Sequence, residues 1–236
     1  MANLAIIPAR GGSKRIPRKN IKDFLGKPII AYPIEAALNS GLFDEVMVST
    51  DDEEIAKIAK LYGAKAPFFR STHNANDYAT VSDVLIEVVS QYIKADRTFE
   101  NICCFLPTAA LTTPSKIIEA FHVLTKQKFK TVVPVVRFAY PIQRAFKDVD
   151  GLLKMREVEY INTRSQDLEP CFHDSGQFYW LNTEAFLLEK KVFTSNTGYI
   201  ELKEHEAQDV DTLDDWDLLE LKYKLKNNYG YRSKIL

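Results

Sequence analysis

Short apolar runs alternate with amphipathic stretches over the first part of the sequence. Leu4 to Pro8 is a continuous apolar run, of the kind that a strand buried on both faces shows. The stretch from Asp52 to Gly63 has acids in its first turn, apolar residues at helical spacing and a terminal glycine, so it predicts a helix. Further strands are predicted at 46–48, 65–69, 102–106 and 131–136, the last of which is rich in β-branched residues. This alternation predicts the α/β class, with a mostly parallel, Rossmann-like sheet covered by helices on both faces.

The alternation stops at residue 138, and helical periodicity returns only near Leu213. We therefore expect a single domain over residues 1–236, with residues 138–180 as a small irregular excursion. Phe138, Tyr140 and Phe146 would be exposed on such an excursion. Because an aromatic patch commonly marks an interface, the excursion is predicted to help form a homodimer.

The overall charge and hydropathy exclude several classes of protein. Lys and Arg number 31 against 32 Asp and Glu, a net charge of -1, which argues against nucleic-acid partners and a polybasic membrane anchor. No apolar stretch reaches the roughly 18 residues of a membrane span, and the N-terminus lacks the long apolar core of a signal peptide. The three cysteines lack the spacing of a zinc site or a disulfide framework. We expect a cytoplasmic protein.

The near-neutral total hides two charged segments. Residues 10–27 contain seven basic side chains and one acid, whereas residues 204–220 contain eight acids and no Lys or Arg. Each segment taken alone could be a solvated face. Ligands of open α/β sheets bind beyond the carboxyl ends of the strands, and the basic segment directly follows the first strand. Together the segments favour a site for a polyanion and the divalent cation that accompanies it.

The first strand-to-helix connection, residues 8–20, has the composition of a phosphate cradle. Gly11 and Gly12 allow close backbone approach, and Lys and Arg side chains follow them. Backbone N–H groups and these cations are what a triphosphate needs. The connection matches neither the GxxxxGK[ST] loop nor the GxGxxG fingerprint. Composition alone therefore leaves a mobile basic surface loop as an alternative.

Several motifs, in the same order along the chain, resemble the CMP-sialic acid synthetase family of cytidylyltransferases. The similar segments are residues 9–14, Lys19-Asn20, Ser49-Thr50-Asp51, Arg70 with Asp77, and residues 208–212. Within that family, residues 162–168 and 173–180 look like the branch that activates pseudaminic acid. The likeness extends over nearly the whole chain.

The resemblance implies a fold of the nucleotide-diphospho-sugar transferase type and a nucleotidyltransferase activity. CMP would pass from CTP to the anomeric hydroxyl of a nonulosonic acid, an acidic nine-carbon sugar, with release of pyrophosphate. The activated sugar would serve surface glycans or flagellin. Carried over by position, the nucleotide-binding residues are Arg10, Gly11, Ser13, Lys14, Lys19, Asn20, Arg70 and Asp77. The catalytic residues are Lys14 and Asp209, and the sugar-binding residues are Arg164, His173, Gln177 and Tyr179.

The resemblance also implies that Asp209 and Asp211 bind Mg²⁺ as the cofactor. Carboxylates two residues apart on an extended segment point to one face, and hard oxygen ligands suit this ion. The alternative is that Asp211, next to Thr212, caps the helix that follows.

The sugar is predicted to be pseudaminic acid because the sequence departs from the sialate pattern. Leu106 and Thr112 stand where that pattern has Gln and Arg, and residues 178–180 are aromatic. An apolar lining would favour the methyl-terminated tail of pseudaminic acid over the hydroxylated tail of sialic acid. Sialic, legionaminic and ketodeoxyoctonic acids are alternative substrates. A non-catalytic nucleotide-binding protein is the alternative of a different class.

Overall fold

The computed structural model describes residues 1–232 of the chain, with side chains to residue 227. The strands are β1 Asn3–Pro8, β2 Asp23–Phe24, β3 Lys27–Pro28, β4 Glu45–Ser49, β5 Asn101–Phe105, β6 Thr131–Arg137, β7 Phe146–Val149, β8 Leu152–Met155, β9 Phe172–Asp174, β10 Phe178–Asn182 and β11 Thr197–Leu202. The helices are α1 Ala31–Ser40, α2 Glu53–Leu61, α3 Val81–Lys94, α4 Pro114–Gln127, α5 Thr183–Glu189 and α6 Leu213–Arg232. Among these described helices, none combines the length and apolarity that a membrane crossing requires.

The central sheet has the order β11-β6-β10-β5-β1-β4, and β9 pairs with β6. β1 lies parallel to both β4 and β5, and β11 lies parallel to β6. β10 runs antiparallel between β5 and β6, and β9 is also antiparallel to β6. The predicted α/β class is confirmed, but the sheet is mixed because a returning strand occupies its centre.

The core has two layers, one on each face of the sheet. Alternate residues of β1 point to opposite faces, so Ala5 and Ile7 pack with α1 and α4, whereas Leu4 and Ile6 pack with α3. Because helices cover both faces, these strands are buried on both sides and read as continuous apolar runs. Because both faces of the sheet are covered, a binding site is expected at the ends of the strands.

Two of the predicted segments differ from the structure. The expected strand at 65–69 forms a single bridge, between Lys65 and Met47, and no strand. The expected excursion ends earlier than residue 180, because residues 178–180 belong to the central strand β10. Trp180 is fully buried there, stacks on Phe43 at 5.0 Å and donates from Nε1 to the Ile117 carbonyl oxygen at 3.1 Å.

The rest of the excursion has the irregular structure that the sequence predicts. It holds the β7–β8 hairpin and several short 3₁₀ turns before the chain returns through β9. The hairpin leaves apolar side chains in solvent, with Phe146 62% and Leu153 76% exposed. This segment projects from the core without a described partner element covering its apolar surface.

Candidate active site

A cavity of about 400 Å³ lies at the carboxyl end of β1. It contains seven of the eight predicted nucleotide-binding residues and both predicted metal ligands. Those residues are Arg10, Ser13, Lys14, Lys19, Asn20, Arg70, Asp77, Asp209 and Asp211. We call this cavity the nucleotide cavity. Its wall carries five basic side chains and three carboxylates, so it suits a polyanion.

The basic loop is held in place by a contact between its two ends and by contacts with the start of α2. Asn20 donates from Nδ2 to the Arg10 carbonyl oxygen at 2.9 Å, which ties the two ends of the loop together. Arg18 has a left-handed backbone, with φ of 54°, and its guanidinium binds the Asp52 carboxylate at 2.5 and 3.1 Å. Asp52 also caps α2 by accepting from the Ile55 N–H at 3.0 Å. The loop is therefore anchored to the start of α2.

Gly11 is the predicted nucleotide-binding residue that does not line the nucleotide cavity. A Cβ at this position would lie 2.7 Å from Asp52 Oδ2, so any larger residue would displace the Asp52 side chain at the start of α2. Its N–H donates to Asp51 Oδ1 at 3.0 Å. The structure gives Gly11 a packing role, and the sequence alone could not separate this role from phosphate binding.

The cations of the nucleotide cavity are paired with carboxylates. Arg10 Nη1 lies 2.8 Å from Asp77 Oδ1, and Lys14 Nζ contacts the other oxygen of the same carboxylate. The hydrogen bond from Lys14, followed by the charges of both cations, lowers the pKa of Asp77. Arg15 makes a similar pair with Asp211. A bound triphosphate would offer the same cations a more highly charged partner.

Lys19 and Asp209 are opposite charges on the wall of this cavity. Lys19 Nζ donates to the Val210 carbonyl oxygen at 2.6 Å and lies 3.8 Å from Asp211 Oδ1. Burial lowers the pKa of Lys19, against the opposing effect of the two nearby carboxylates. Burial likewise raises the pKa of Asp209, although the Val210 N–H that it accepts favours the charged form. Asp209 is exposed as a residue, but neighbouring groups desolvate its carboxyl, so a bound cation would stabilise its charged form.

Asp211 does not cap α6. The helix is capped by Thr212, whose hydroxyl accepts from the Asp215 N–H at 3.3 Å. Asp215 reaches back to the backbone N–H groups of Thr212 and Asp211, at 2.8 and 3.0 Å. The Asp211 carboxylate instead binds Arg15, so the capping alternative is wrong.

The donor set fits a magnesium ion that arrives with phosphates. Within residues 1–232, no group of three or more His, Cys, Asp or Glu side chains is arranged to hold a metal ion by itself. Asp209 and Asp211 form a pair that lines the nucleotide cavity. Mg²⁺ commonly uses only one or two carboxylates and completes its shell with water and substrate phosphates. The pair therefore suits Mg²⁺ with a nucleotide better than a closed protein metal site.

A second cavity, of about 380 Å³, shares Asp209 and Asp211 with the nucleotide cavity. We call it the second cavity. His173 lines it, as do Asp174, Ser175 and Lys222, which were not predicted as site residues. Lys222 brings a cation into an otherwise acidic wall, and its Nζ donates to the Ala207 carbonyl oxygen at 2.8 Å. Two cavities that meet at two carboxylates provide room for two substrates side by side.

Three of the predicted sugar-binding residues lie elsewhere. Arg164 is exposed on the excursion, where its Nε donates to Asp167 Oδ2 at 2.7 Å. Gln177 is buried, with Oε1 accepting from the Thr112 hydroxyl at 2.7 Å and Nε2 donating to a backbone carbonyl oxygen. Tyr179 is buried on β10 and reaches the second cavity only through Asp174. Strand β10 lies in the middle of the sheet, which explains why its side chains face the interior.

The aromatic side chains of β10 do not form an apolar sugar pocket. Phe178 and Trp180 are fully buried in the core, and Thr112 uses its hydroxyl to hold Gln177. Leu106 lines the nucleotide cavity rather than the second cavity. The expected apolar lining for a methyl-terminated sugar is therefore wrong, because these residues pack the fold.

The segment from 70 to 84 supplies several residues of the nucleotide cavity that sequence reasoning missed. Asn74, Asn76 and Thr80 line the cavity. The Asn76 side chain accepts from the backbone N–H groups of residues 78 and 79, and Thr80 caps α3 in a reciprocal capping box with Asp83. The Thr-x-x-Asp pattern signals this helix start in the sequence. Nothing in the sequence signals that the segment folds against the basic loop.

A family model described as cytidylyltransferase matches residues 4–232. The chain belongs to the cytidylyltransferase family. The predicted family and the predicted nucleotidyltransferase activity are confirmed. A pseudaminic acid cytidylyltransferase of Campylobacter jejuni is 40% identical, over 98% of this chain and 100% of that protein. A CMP-N,N'-diacetyllegionaminic acid synthase of Legionella pneumophila is 33% identical, over 93% of this chain and 95% of that protein.

Solved structures support the fold. A CMP:2-keto-3-deoxy-manno-octonic acid synthetase complexed with CTP matches with a TM-score of 0.70 and 16% identity. The match covers 96% of this cytidylyltransferase chain and all of that one. A 4-diphosphocytidyl-2C-methyl-D-erythritol synthase from Anaerococcus prevotii matches with a TM-score of 0.65 and 14% identity, over 94% of this chain and 98% of that one. At these identities the likeness concerns the fold, which is the nucleotidyltransferase type that the sequence predicted.

Proposed function

We propose that this cytidylyltransferase transfers CMP from CTP to the anomeric hydroxyl of a nonulosonic acid, with pseudaminic acid as its natural substrate. The observation that carries the proposal is the junction of the two cavities at Asp209 and Asp211. The basic nucleotide cavity suits CTP. The second cavity offers hydrogen-bonding groups for a sugar, and Lys222 is the cation on its wall that could pair with the sugar carboxylate. The α-phosphate would lie between the two cavities, within reach of the sugar hydroxyl.

The sugar oxygen attacks the α-phosphate in line, and pyrophosphate leaves. Arg10, Lys14 and Arg15 exchange their carboxylate partners for the triphosphate and stabilise the charge of the departing pyrophosphate. Asp209 lines both cavities, so its carboxylate could accept the hydroxyl proton. Positioning of the two substrates supplies much of the rate.

Asp209 and Asp211 are the residues that would hold Mg²⁺ in this proposal. When bound, the ion neutralises charge on the triphosphate. The chain contributes the two carboxylates at the junction, and Lys19 beside them offsets part of their negative charge. The magnesium assignment is supported by the carboxylate oxygens, which are hard ligands. Asp211 is also available as a ligand, because Thr212 caps α6.

The choice of pseudaminic acid is supported by the C. jejuni relative, which this chain matches over its full length. The legionaminic acid synthase of L. pneumophila is less similar, at 33% identity, and provides the second candidate substrate. The apolar-pocket argument no longer supports the choice, since the aromatic residues of β10 are core residues.

The proposal includes a homodimer and a cytoplasmic location. The β7–β8 hairpin and the turns after it expose Phe146, Leu152, Leu153, Val158 and Ile161. A concentration of apolar side chains on a projecting segment favours burial against a second copy of the chain. The cytoplasm is the compartment where CTP is available.

The decisive experiment follows pyrophosphate release by the purified full chain with CTP and Mg²⁺. Pseudaminic, N,N'-diacetyllegionaminic, N-acetylneuraminic and ketodeoxyoctonic acids are compared at matched concentrations, with a sugar-free reaction as the control. We expect kcat/KM to be highest for pseudaminic acid. A higher value for another sugar would replace the substrate and leave CMP transfer standing. No pyrophosphate release with any of the four sugars would overturn the proposed function.

A further inference from the structure

Asp174 is the last residue of β9, the strand by which the chain rejoins the central sheet, and it lines the second cavity. Its carboxylate is held from two sides. Oδ2 accepts from the Tyr179 hydroxyl at 2.6 Å, and Oδ1 accepts from the Gly176 N–H at 3.0 Å. Asp174 itself is exposed, so the fixed carboxylate remains accessible from the cavity. Each oxygen of a carboxylate can accept a second hydrogen bond.

Tyr179 has the surroundings of a positioning group. Its ring is buried on β10, and burial together with the neighbouring Asp174 charge raises its pKa, so the phenol stays a donor. The hydroxyl reaches from the core to the cavity wall and fixes the direction of the Asp174 carboxylate. This hydrogen bond distinguishes Asp174 from a surface aspartate that contacts only solvent.

Ser175 provides a second, independent observation. Its residue is 2% exposed, it lines the second cavity, and its Oγ has no hydrogen-bond partner among the residues that the structure describes. An unpaired buried hydroxyl is unfavourable, and native structures normally give such a group a partner. The oxygen has almost no accessible surface, so a ligand in the second cavity would supply that partner once the Ser175 side chain turns toward it.

Gly176 shows how closely this segment approaches the junction of the two cavities. Its φ is 64°, and a Cβ at this position would lie 3.0 Å from the Cβ and Cγ atoms of Asp209. Asp174 and Ser175 are therefore held next to the carboxylate that we propose as catalytic, on the side of the second cavity.

We propose that Asp174 and Ser175 select the sugar by binding one of its acylamino groups. An acylamino group presents an N–H donor beside a carbonyl acceptor. A fixed carboxylate accepts from the N–H, and the serine hydroxyl can donate to the carbonyl oxygen, so the two adjacent residues offer its complement. The inference rests on the proposed function, and it assigns substrate selection to polar side chains that line the second cavity.

The test uses Asp174→Asn and Ser175→Ala in the full chain. The asparagine can keep both internal contacts, with its oxygen facing Gly176 and its amide facing the Tyr179 oxygen, but it loses the charge. We expect the KM for pseudaminic acid to rise about tenfold or more in Asp174→Asn and about three- to tenfold in Ser175→Ala. The KM for CTP should stay within twofold of the wild-type value. Ser175→Ala should keep the wild-type melting temperature, because the hydroxyl has no partner to lose.

Two further measurements separate selection from a structural role. Ketodeoxyoctonic acid lacks acylamino groups, so its inhibition constant against pseudaminic acid should be unchanged in both variants. Tyr179→Phe should raise the KM for pseudaminic acid a few-fold at unchanged KM for CTP, since it removes one of the two groups that orient Asp174. Thr183→Ala is the matched control: its hydroxyl is also buried without a partner among the described residues, but it lies at the start of α5, outside both cavities.

Unchanged kinetics for pseudaminic acid in both Asp174→Asn and Ser175→Ala would overturn the inference. A parallel rise in the KM for CTP, or in the inhibition constant of ketodeoxyoctonic acid, would also overturn it, because either result indicates a general loss of site geometry. If wild-type protein releases pyrophosphate but the variants behave as wild type, the inference fails alone. If wild-type protein is inactive with every sugar, the proposed function fails and the inference falls with it.

Discussion

Arg15 Nη2 lies 2.7 Å from Asp211 Oδ1, so the basic loop and the acidic segment meet in the nucleotide cavity, although 196 residues separate them in the sequence. The carboxylate that we propose as a magnesium ligand is thus already paired with a guanidinium. If Asp211 binds Mg²⁺ as proposed, the ion has to compete with Arg15 for this carboxylate. The pairing also keeps the loop beside the site before the nucleotide binds.

Asp209→Asn and Asp211→Asn are each expected to reduce turnover at least tenfold and to raise the Mg²⁺ concentration needed for half-maximal rate. Asn keeps the size of the side chain but removes the charge that a hard dication requires. Initial rates over a magnesium titration measure both effects. Asp217→Asn, an exposed acid of the same segment outside both cavities, is the control. Wild-type magnesium dependence in both variants, at unchanged thermal stability, would contradict the assignment.

Lys14→Ala is expected to lower kcat by about tenfold or more, because the ammonium stabilises charge that develops as pyrophosphate departs. Lys14 is largely exposed and contacts Asp77, so its removal should leave the fold intact. Circular dichroism checks the fold, and steady-state kinetics with CTP measure the effect. Lys57→Ala, an exposed lysine on α2, serves as the control. A fully active, folded Lys14→Ala enzyme would rule out the phosphate-binding role.

Asp77→Asn is expected to lower the KM for CTP about two- to fivefold, the range that one exposed ion pair can supply. Asp77 holds both Arg10 and Lys14, and the same N–H donors cannot bind the triphosphate until they leave it. In Asp77→Asn the two cations are no longer held by a carboxylate, so they are available before the triphosphate binds. The effect should shrink at high salt, which screens exposed pairs. A higher KM would indicate instead that Asp77 contacts the nucleotide directly.

The local part of the fold could be predicted from the sequence, and the long-range part could not. Strand β1 and helix α4 carry their own signals, in a continuous apolar run and in a Thr-Pro start with an apolar stripe. Strand β10 is also apolar, but its antiparallel position between β5 and β6 depends on pairing with segments far away in the chain. Periodicity contains no information about that pairing.

The same division holds for the candidate site. The predicted nucleotide-binding residues follow β1 directly or stand in ordered motifs, and the structure brings most of them to the wall of one cavity. Gln177 and Arg164 were expected in the sugar site, but one is locked inside by Thr112 and the other pairs with Asp167. Asp174 was missed because its importance comes from a hydrogen bond to Tyr179 and from its place beside Gly176, and neither contact has a sequence signal.

Glu45→Gln tests a buried charge far from the site. Glu45 Oε2 accepts from Lys65 at 2.9 Å and from Arg97 at 2.8 Å, and its other oxygen accepts from the Tyr92 hydroxyl. Burial alone would raise the pKa of Glu45, but these hydrogen bonds outweigh it and lower the pKa below the ordinary value. We expect the variant to lose about 1–3 kcal/mol of unfolding free energy at pH 7.

The loss should depend on pH in a defined direction. Because the folded-state pKa of Glu45 is lowered, its charge stabilises the fold fully above the unfolded value of about 4.3 and less as the pH falls through the folded value. The difference between wild type and Glu45→Gln should therefore narrow as the pH falls below about 4.3. Urea unfolding at several pH values measures it, with Glu201→Gln, an exposed residue of β11, as the control. A difference that is constant with pH would mean that the charge contributes nothing.

Leu153→Asp is expected to convert a homodimer into a monomer that remains folded. Leu153 lies on the β8 side of the hairpin and is 76% exposed, so a charge there costs little in an isolated chain. In an interface the same carboxylate would be desolvated without a partner, which is strongly unfavourable. Light scattering at micromolar concentration measures the mass, and the melting temperature checks the fold. Leu61→Asp is the matched control, because Leu61 is 80% exposed at the end of α2, away from the excursion, and its variant should stay dimeric. Wild-type protein that is monomeric under these conditions, or a Leu153→Asp protein that remains a dimer, would show that this hairpin is not the interface.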